Sequence, residues 1–157
     1  MNPTLEEQLV TRLIEKNWHI SCAESCTGGL VAATLVNVAN ASKVFDVSFV
    51  TYANEAKIKY LDVSAETIGR YGVVSEPVTK EMAIGVVKAA ASETGIAISG
   101  IAGPGGGTTE KPVGMVCFGF NVNGAITTET VYFPPNGRNE VRKAAAEHAL
   151  KRMLELL

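Results

Sequence analysis

The sequence lacks the features that would place it in a membrane, a secretion route or a nucleic-acid complex. It has no apolar run near the roughly 20 residues that a membrane-spanning helix needs. Acidic residues occupy its start, MNPTLEEQL, where a secretory signal would be basic. A formal net charge of −2 provides no general attraction to nucleic acid or an anionic membrane. Three cysteines, an odd number, do not suggest a disulfide framework. We therefore expect a cytoplasmic protein with reduced thiols.

Helical and extended patterns alternate along the chain. Of its 157 residues, 46% are hydrophobic, which is enough for one core and a single domain over residues 1–157. The patterns predict helices over residues 3–16, 30–36, 54–60, 75–92 and 138–157. They predict strands over residues 19–23, 47–52, 95–101, 113–122 and 126–133, with an Asn123-Gly124 turn joining the last two. This order predicts a three-layer α/β/α fold whose mixed, largely parallel sheet includes a late antiparallel hairpin.

Three segments that could carry chemistry follow the carboxyl ends of predicted strands. They are the turn at Ser25, the segment from Tyr52 to Lys57, and a glycine-rich loop that begins at Gly100. In open α/β sheets, such ends gather around one crevice. We therefore expect a single site.

Ser25 precedes Thr27, Gly28 and Gly29 at the start of a predicted helix. Unpaired backbone N–H groups at a helix start attract negative charge, so this turn would suit an oxyanion as well as a serine nucleophile. The alternative is that Ser25 or Thr27 only caps the helix and the glycines only permit close packing.

A serine nucleophile needs a base, and the chain has only two histidines. His19 starts a strand that leads away from the site, and His148 lies in the middle of a helix. Lys57 could serve instead if burial removed its proton near neutral pH, with Tyr52 relaying a proton or orienting the amine. The alternative is a solvated lysine and a core aromatic.

The glycine loop lacks both common phosphate signatures. Gly105 is followed by two further glycines and Thr108, where a Walker loop would have lysine and a hydroxyl residue. We interpret the loop as a surface that a ligand approaches closely, with free backbone N–H groups and with Thr108 and Lys111 nearby. A flexible loop without a ligand is the alternative.

Two of the cysteines lie close to the predicted site. Cys22 and His19 would face opposite sides of a strand, and no fourth ligand lies near them and Cys26, so we predict no metal site. Cys26 remains a rival nucleophile beside Ser25.

Four motifs in order resemble the CinA carboxy-terminal domain family, which includes nicotinamide-nucleotide amidohydrolases. They are AESCTGG at residues 23–29, TYANEAK at 51–57, VSEP at 74–77, and GIAGPGG at 100–106 with KPVG at 111–114. The resemblance covers nearly the whole chain. It implies hydrolysis of nicotinamide mononucleotide to nicotinic acid mononucleotide and ammonia, without a cofactor.

The resemblance also implies roles for individual residues. Family members use a serine–lysine pair with an assisting tyrosine, which corresponds to Ser25, Lys57 and Tyr52. Together, the motifs and the residue analysis give these candidates for contact with the nucleotide substrate: Thr27, Gly28, Gly29, Asn54, Gly100, Gly103, Gly105, Gly106, Thr108, Lys111 and Arg142. Its phosphate would lie against the glycine-loop amides, Thr108, Lys111 or Arg142.

Two other functions remain open at this stage. One is a non-catalytic regulatory protein associated with competence or DNA damage, and the other is an amidase for another small amide. We also expect a homo-oligomer, a dimer or larger, because a compact α/β enzyme with an apolar helix face can pair with itself.

Overall fold

A five-stranded mixed sheet forms the centre of the computed structural model, which describes residues 1–157. The strands are β1 (Ile20–Glu24), β2 (Phe45–Val50), β3 (Thr94–Gly100), β4 (Met115–Val122) and β5 (Ala125–Tyr132). Their order across the sheet is β2-β1-β3-β4-β5. β1 pairs in parallel with both β2 and β3, whereas β4 is antiparallel to β3 and to β5.

Helices cover both faces of this sheet. They are α1 (Leu5–Lys16), α2 (Leu30–Leu35), α3 (Asn54–Leu61), α4 (Ala65–Tyr71), α5 (Glu76–Ala90) and α6 (Arg138–Leu156), with a short 3₁₀ helix at Ala41–Lys43. One apolar core joins α1, α2 and α6 to the sheet, and a second joins α3 and α5 to the opposite face. The predicted three-layer α/β fold is therefore confirmed. No helix is both long and apolar enough to cross a bilayer.

Local sequence accounts for several element boundaries. Thr4 and Glu7 form a capping box at the start of α1, and Asn17 ends that helix in the left-handed conformation. Asn123 and Gly124, with φ of 50° and 93°, make the turn between β4 and β5. The sequence patterns missed the helix Ala65–Tyr71 because none of its residues is buried.

The observed second strand is displaced from the predicted one, and this displacement affects the site. It was predicted over residues 47–52, but it begins and ends two residues earlier, at Phe45–Val50. Thr51 and Tyr52 therefore lie beyond the strand, in the connection to α3. Together with the ends of β1 and β3, this connection places three chain segments at one edge of the sheet.

A close approach between α5 and the end of α3 should make the fold sensitive at Gly85. A Cβ atom there would collide with the backbone carbonyl of Leu61. Gly85→Ala should therefore lower the free energy of unfolding by about 1–3 kcal/mol or more, measured by urea denaturation. Gly69→Ala is the control because no atom lies within 4 Å of its added Cβ. This exposed helix position should tolerate or favour alanine, and an equal loss in both variants would contradict the prediction.

Candidate active site

Ser25 and Lys57 meet at the sheet edge where β1 and β2 end. Lys57 Nζ lies 3.0 Å from Ser25 Oγ, a hydrogen-bond distance between residues 32 positions apart in the sequence. The Lys57 side chain is completely buried, and Ser25 retains 8% of its accessible surface. Because α3 begins at Asn54, Lys57 lies in its first turn, as the sequence pattern predicted. The fold thus joins two of the predicted catalytic residues directly.

The other partners of the Lys57 amine are backbone carbonyls. Nζ donates to Thr51 O at 2.5 Å and to Tyr52 O at 3.3 Å. A neutral amine has two hydrogens and one lone pair, so the two carbonyls can take both hydrogens. The lone pair is then left for the Ser25 hydroxyl. This arrangement suits removal of a proton from Ser25.

Burial lowers the pKa of Lys57 and raises the pKa of the neighbouring Cys26 thiol. Desolvation lowers the pKa of Lys57 from 10.5 to about 8. Burial raises the pKa of Cys26 to about 11, so its thiolate is scarce near neutral pH. Lys57 can therefore act as a base where Cys26 remains a thiol. These protonation states favour Ser25 over Cys26 as the nucleophile.

A cavity of about 420 Å³ opens beside Ser25 and Lys57. Its walls come from the Ser25 turn, residues 72–74 before α5, and the glycine loop after β3. The predicted site residues that line it are Ser25, Tyr52, Lys57, Gly100, Gly103, Gly105, Gly106, Thr108 and Lys111. The predicted residues outside its lining are Thr27, Gly28, Gly29, Asn54 and Arg142.

Tyr52 contacts Lys57 through its backbone carbonyl. Its side chain is 63% exposed at the cavity wall. The phenol oxygen accepts a hydrogen bond from Arg138 Nη2 at 3.0 Å. The structure therefore places the Tyr52 carbonyl, and not its hydroxyl, against the lysine amine.

The turn after β1 uses some of the amides that the sequence assigned to an oxyanion. Gly28 N donates to Ser25 O at 3.0 Å. Gly29 N donates to the buried Glu24 carboxylate at 3.2 Å. The Cys26 and Thr27 amides donate to no carbonyl or carboxylate oxygen of the protein. Of the predicted oxyanion donors from Thr27 to Gly29, only the Thr27 amide is therefore free, and the Cys26 amide is a free donor that the sequence analysis did not include.

Arg142 lies against this turn rather than in the cavity. Its Nε donates to Cys26 O at 2.8 Å, and its Nη2 donates to Thr27 O at 3.1 Å. The sequence offered Arg142 as a phosphate ligand, but the backbone carbonyls of the turn hold its guanidinium. The structure therefore gives Arg142 a different position from the predicted one.

The glycine loop has free backbone donors, most of them on residues that line the cavity. The amides of Ala102, Gly103 and residues 105–107 have no acceptor in the protein. Lys111 closes the loop, since its Nζ donates to Tyr71 O at 2.6 Å and its N donates to Thr108 Oγ1 at 2.9 Å. These five amides could receive an anionic or polar ligand group.

Sequence reasoning missed two charged residues at the site. Arg138, at the start of α6, lines the cavity and donates from Nη1 to Gly103 O at 2.7 Å. No local pattern marks its role, because its partners lie far away in sequence. The Glu24 carboxylate accepts hydrogen bonds from the amides of Gly29, Val31 and Ala32. A carboxylate at the end of an apolar strand was a usable signal.

The other polar residues considered from the sequence lie apart from the Ser25–Lys57 pair. His19 Nδ1 lies 2.7 Å from Asp46 Oδ2, and the His148 ring packs 4.7 Å from that of Phe118, measured between centroids. No group of three or more His, Cys, Asp or Glu side chains forms a metal-ligand cluster.

Known proteins resemble this chain over nearly all of its length. The model of the CinA C-terminal domain family matches residues 2–157. A CinA-like protein of Kosmotoga olearia is 49% identical over 147 residues, which are 94% of this chain and 35% of that protein. The nicotinamide-nucleotide amidohydrolase PncC of Enterobacter agglomerans is 46% identical over 151 residues, covering 96% of this chain and 92% of that enzyme.

The solved structures agree with the fold. The crystal structure of a competence-damaged protein (CinA) superfamily protein from Escherichia coli has a TM-score of 0.94 at 37% identity, covering 98% of this chain and 88% of that one. Several curated relatives are longer proteins, and the chain spans about a third of their length.

Replacing Lys57 by Met should raise the free energy of unfolding at pH 7, because an ammonium group would no longer be buried. A pKa lowered from 10.5 to about 8 corresponds to about 3 kcal/mol at about 1.36 kcal/mol per pKa unit. Between these pH values the unfolded chain holds a proton that the folded chain has lost, so wild-type stability rises.

The advantage of Lys57→Met should therefore shrink from pH 8 to pH 10.5 in denaturant titrations. Lys59→Met changes an exposed lysine of the same helix and serves as the control. A stability difference for Lys57→Met that stays constant across this range would contradict the lowered pKa.

Proposed function

The chain belongs to the CinA C-terminal domain family, and from this premise we propose that it hydrolyses nicotinamide mononucleotide to nicotinic acid mononucleotide and ammonia. The observation that carries the proposal is the buried 3.0 Å contact between Lys57 Nζ and Ser25 Oγ. The near full-length similarity to a nicotinamide-nucleotide amidohydrolase supports the same reaction. It also agrees with the amidase activity that the sequence motifs implied.

Acylation begins when Ser25 Oγ attacks the carboxamide carbon and Lys57 Nζ takes the hydroxyl proton. The carbonyl π electrons move to oxygen, and the amides of Cys26 and Thr27 are the unpaired donors of the Ser25 turn for that oxyanion. The C–N bond then breaks, and Lys57 gives its proton to the departing nitrogen. Neutral ammonia leaves, and the substrate acyl group remains as an ester on Ser25.

Deacylation uses the same groups in the reverse order. Lys57 accepts a proton from water while the water oxygen attacks the ester carbon. The ester C–O bond breaks, and Lys57 returns the proton to Ser25 Oγ. Tyr52 assists by orienting Lys57, since its carbonyl accepts a hydrogen bond from Nζ. The products are the carboxylic acid, which ionises in water, and the regenerated pair.

The substrate phosphate would lie against the glycine-loop amides from Ala102 to Gly107. These amides have no acceptor of their own, and Arg138 adds a positive charge beside Gly103. Thr108 and Lys111 border the same part of the cavity. The volume of about 420 Å³ falls within the usual range for small-molecule sites. Nicotinamide mononucleotide is therefore of a suitable size and charge.

The two alternative functions make different demands on the site. A regulatory protein would have no use for a lysine amine buried against a serine, because burying such a group costs stability. An amidase for another small amide would use the same pair with a different cavity occupant. Ammonia release from a panel of amides, with and without a ribose phosphate, separates these functions.

Ser25→Ala should lower ammonia release from nicotinamide mononucleotide by at least about 10³-fold, because no attacking oxygen remains. Cys26→Ala is the matched control at the next position and should keep most of the activity, because its thiol is buried and protonated. The measurement is steady-state ammonia formation by the purified variants. Full activity in Ser25→Ala would assign the nucleophile elsewhere.

The rate should rise with pH through an apparent pKa of about 8, the value for Lys57. Only the neutral amine accepts the Ser25 proton, so at pH 7 about one molecule in ten is active. Below pH 7, kcat/KM should fall about tenfold for each pH unit. The test is a kcat/KM profile from pH 6 to pH 9.5, and a flat profile would exclude the lysine base.

A further inference from the structure

Arg142 is the only cation that contacts the backbone of the Ser25 turn, and it does so at two successive carbonyls. Nε donates to Cys26 O at 2.8 Å, and Nη2 donates to Thr27 O at 3.1 Å. We propose that Arg142 is a positioning residue that orients and strengthens the oxyanion hole. This inference rests on the serine amidase mechanism proposed above.

The remaining hydrogen bonds of the turn show which of its donors are available. The amides of Ser25, Gly28 and Gly29 donate to Ile98 O, Ser25 O and the Glu24 carboxylate, respectively. Only the amides of Cys26 and Thr27 remain without an oxygen acceptor. An oxyanion formed on a carbon bonded to Ser25 Oγ has these two amides as the unpaired donors of its own turn.

Peptide geometry links Arg142 to one of these amides. The C=O of Cys26 and the N–H of Thr27 belong to one planar trans peptide group, so they point in opposite directions. By holding the carbonyl, Arg142 turns the Thr27 N–H to the opposite face of the chain, away from α6. A cation on the carbonyl oxygen also polarises the whole group and makes its N–H a stronger donor.

Arg142 is free to exert this effect because its charge has no carboxylate partner. It is absent from the ion pairs of the protein, and its third contact is Nη1 to the neutral Asn139 Oδ1 at 3.1 Å. The guanidinium charge is therefore balanced only by amide and carbonyl dipoles. Its main hydrogen-bond acceptors are two carbonyls of the turn next to the nucleophile.

Gly28 supplies the space that this contact requires. A Cβ atom at Gly28 would lie 3.1 Å from Arg142 Nη2, and its φ of 57° is in the left-handed region. A glycine at this position therefore serves two purposes, the turn conformation and the close approach of the guanidinium. The glycines of the motif at residues 23–29 and the distant Arg142 form one structural unit.

The experiment compares Arg142→Ala with Arg152→Ala in the purified 157-residue protein. Arg152 lies on the same helix but pairs with Glu129 and Glu155, so it is the matched control. With nicotinamide mononucleotide, Arg142→Ala should lower kcat about 10- to 100-fold and leave KM within about threefold, because oxyanion donors act in the transition state. Arg152→Ala should keep both parameters.

Two further readouts separate this role from a merely structural one. The pH profile of Arg142→Ala should keep the apparent pKa of the wild type, because the Lys57 surroundings are unchanged. Added methylguanidine should restore part of kcat in Arg142→Ala and have no effect in Arg152→Ala.

If circular dichroism shows that Arg142→Ala does not fold, Arg142→Lys replaces it. Its single amine cannot span both carbonyls, so it should lower kcat in the same manner.

Several outcomes would overturn the inference. An unchanged kcat in folded Arg142→Ala or Arg142→Lys would refute it while leaving the proposed function intact. A raised KM with unchanged kcat would instead assign Arg142 to substrate binding. Wild-type protein that releases no ammonia would end the proposed function, and this inference would fall with it.

Discussion

The burial of one primary amine is the constraint on which the functional site depends. Lys57 lies fully inside the protein, where its amine contacts two carbonyls and the Ser25 hydroxyl. Without a carboxylate to stabilise the charged form, desolvation dominates and lowers the pKa of the amine toward the physiological range. The same burial keeps the Cys26 thiol protonated. One physical effect thus favours both a neutral amine at Lys57 and a protonated thiol at Cys26.

The serine is held by charges on two sides of its turn. The Glu24 carboxylate accepts hydrogen bonds from amides of the following helix, and the Arg142 guanidinium donates to the carbonyls of Cys26 and Thr27. The negative carboxylate therefore contacts the N–H ends of peptide dipoles, and the positive guanidinium contacts the C=O ends. Such a turn leaves few backbone groups unsatisfied, and the unsatisfied donors are the amides of Cys26 and Thr27, which follow Ser25 directly.

The sheet topology explains why residues from distant parts of the sequence meet. β1 lies between β2 and β3, all three run parallel, and their carboxyl ends reach one edge. The Ser25 turn, the segment containing Lys57 and the glycine loop leave that edge in adjacent positions. A long helix at the end of the chain then brings Arg138 and Arg142 against them. The site is therefore a product of the whole domain.

The sequence by itself determined the fold class and most of the elements, although it missed the exposed helix Ala65–Tyr71 and placed the second strand two residues too late. These rest on local periodicity and turn chemistry, which need no distant partner, as the Asn123-Gly124 hairpin illustrates. It also identified Ser25 and Lys57 as candidates, but only the tertiary structure could decide their separation and burial.

The positions of the charged residues around Ser25 and Lys57 were likewise decided only by the tertiary structure. The sequence offered Arg142 as a phosphate ligand and gave no sign of Arg138, because the backbone carbonyls that both side chains contact lie more than 30 positions away. A side chain on a helix has many possible neighbours, and the packing of α6 against the sheet selects among them. Sequence periodicity indicates where most elements run, whereas the contacts between elements fix the protonation and hydrogen bonding of the site residues.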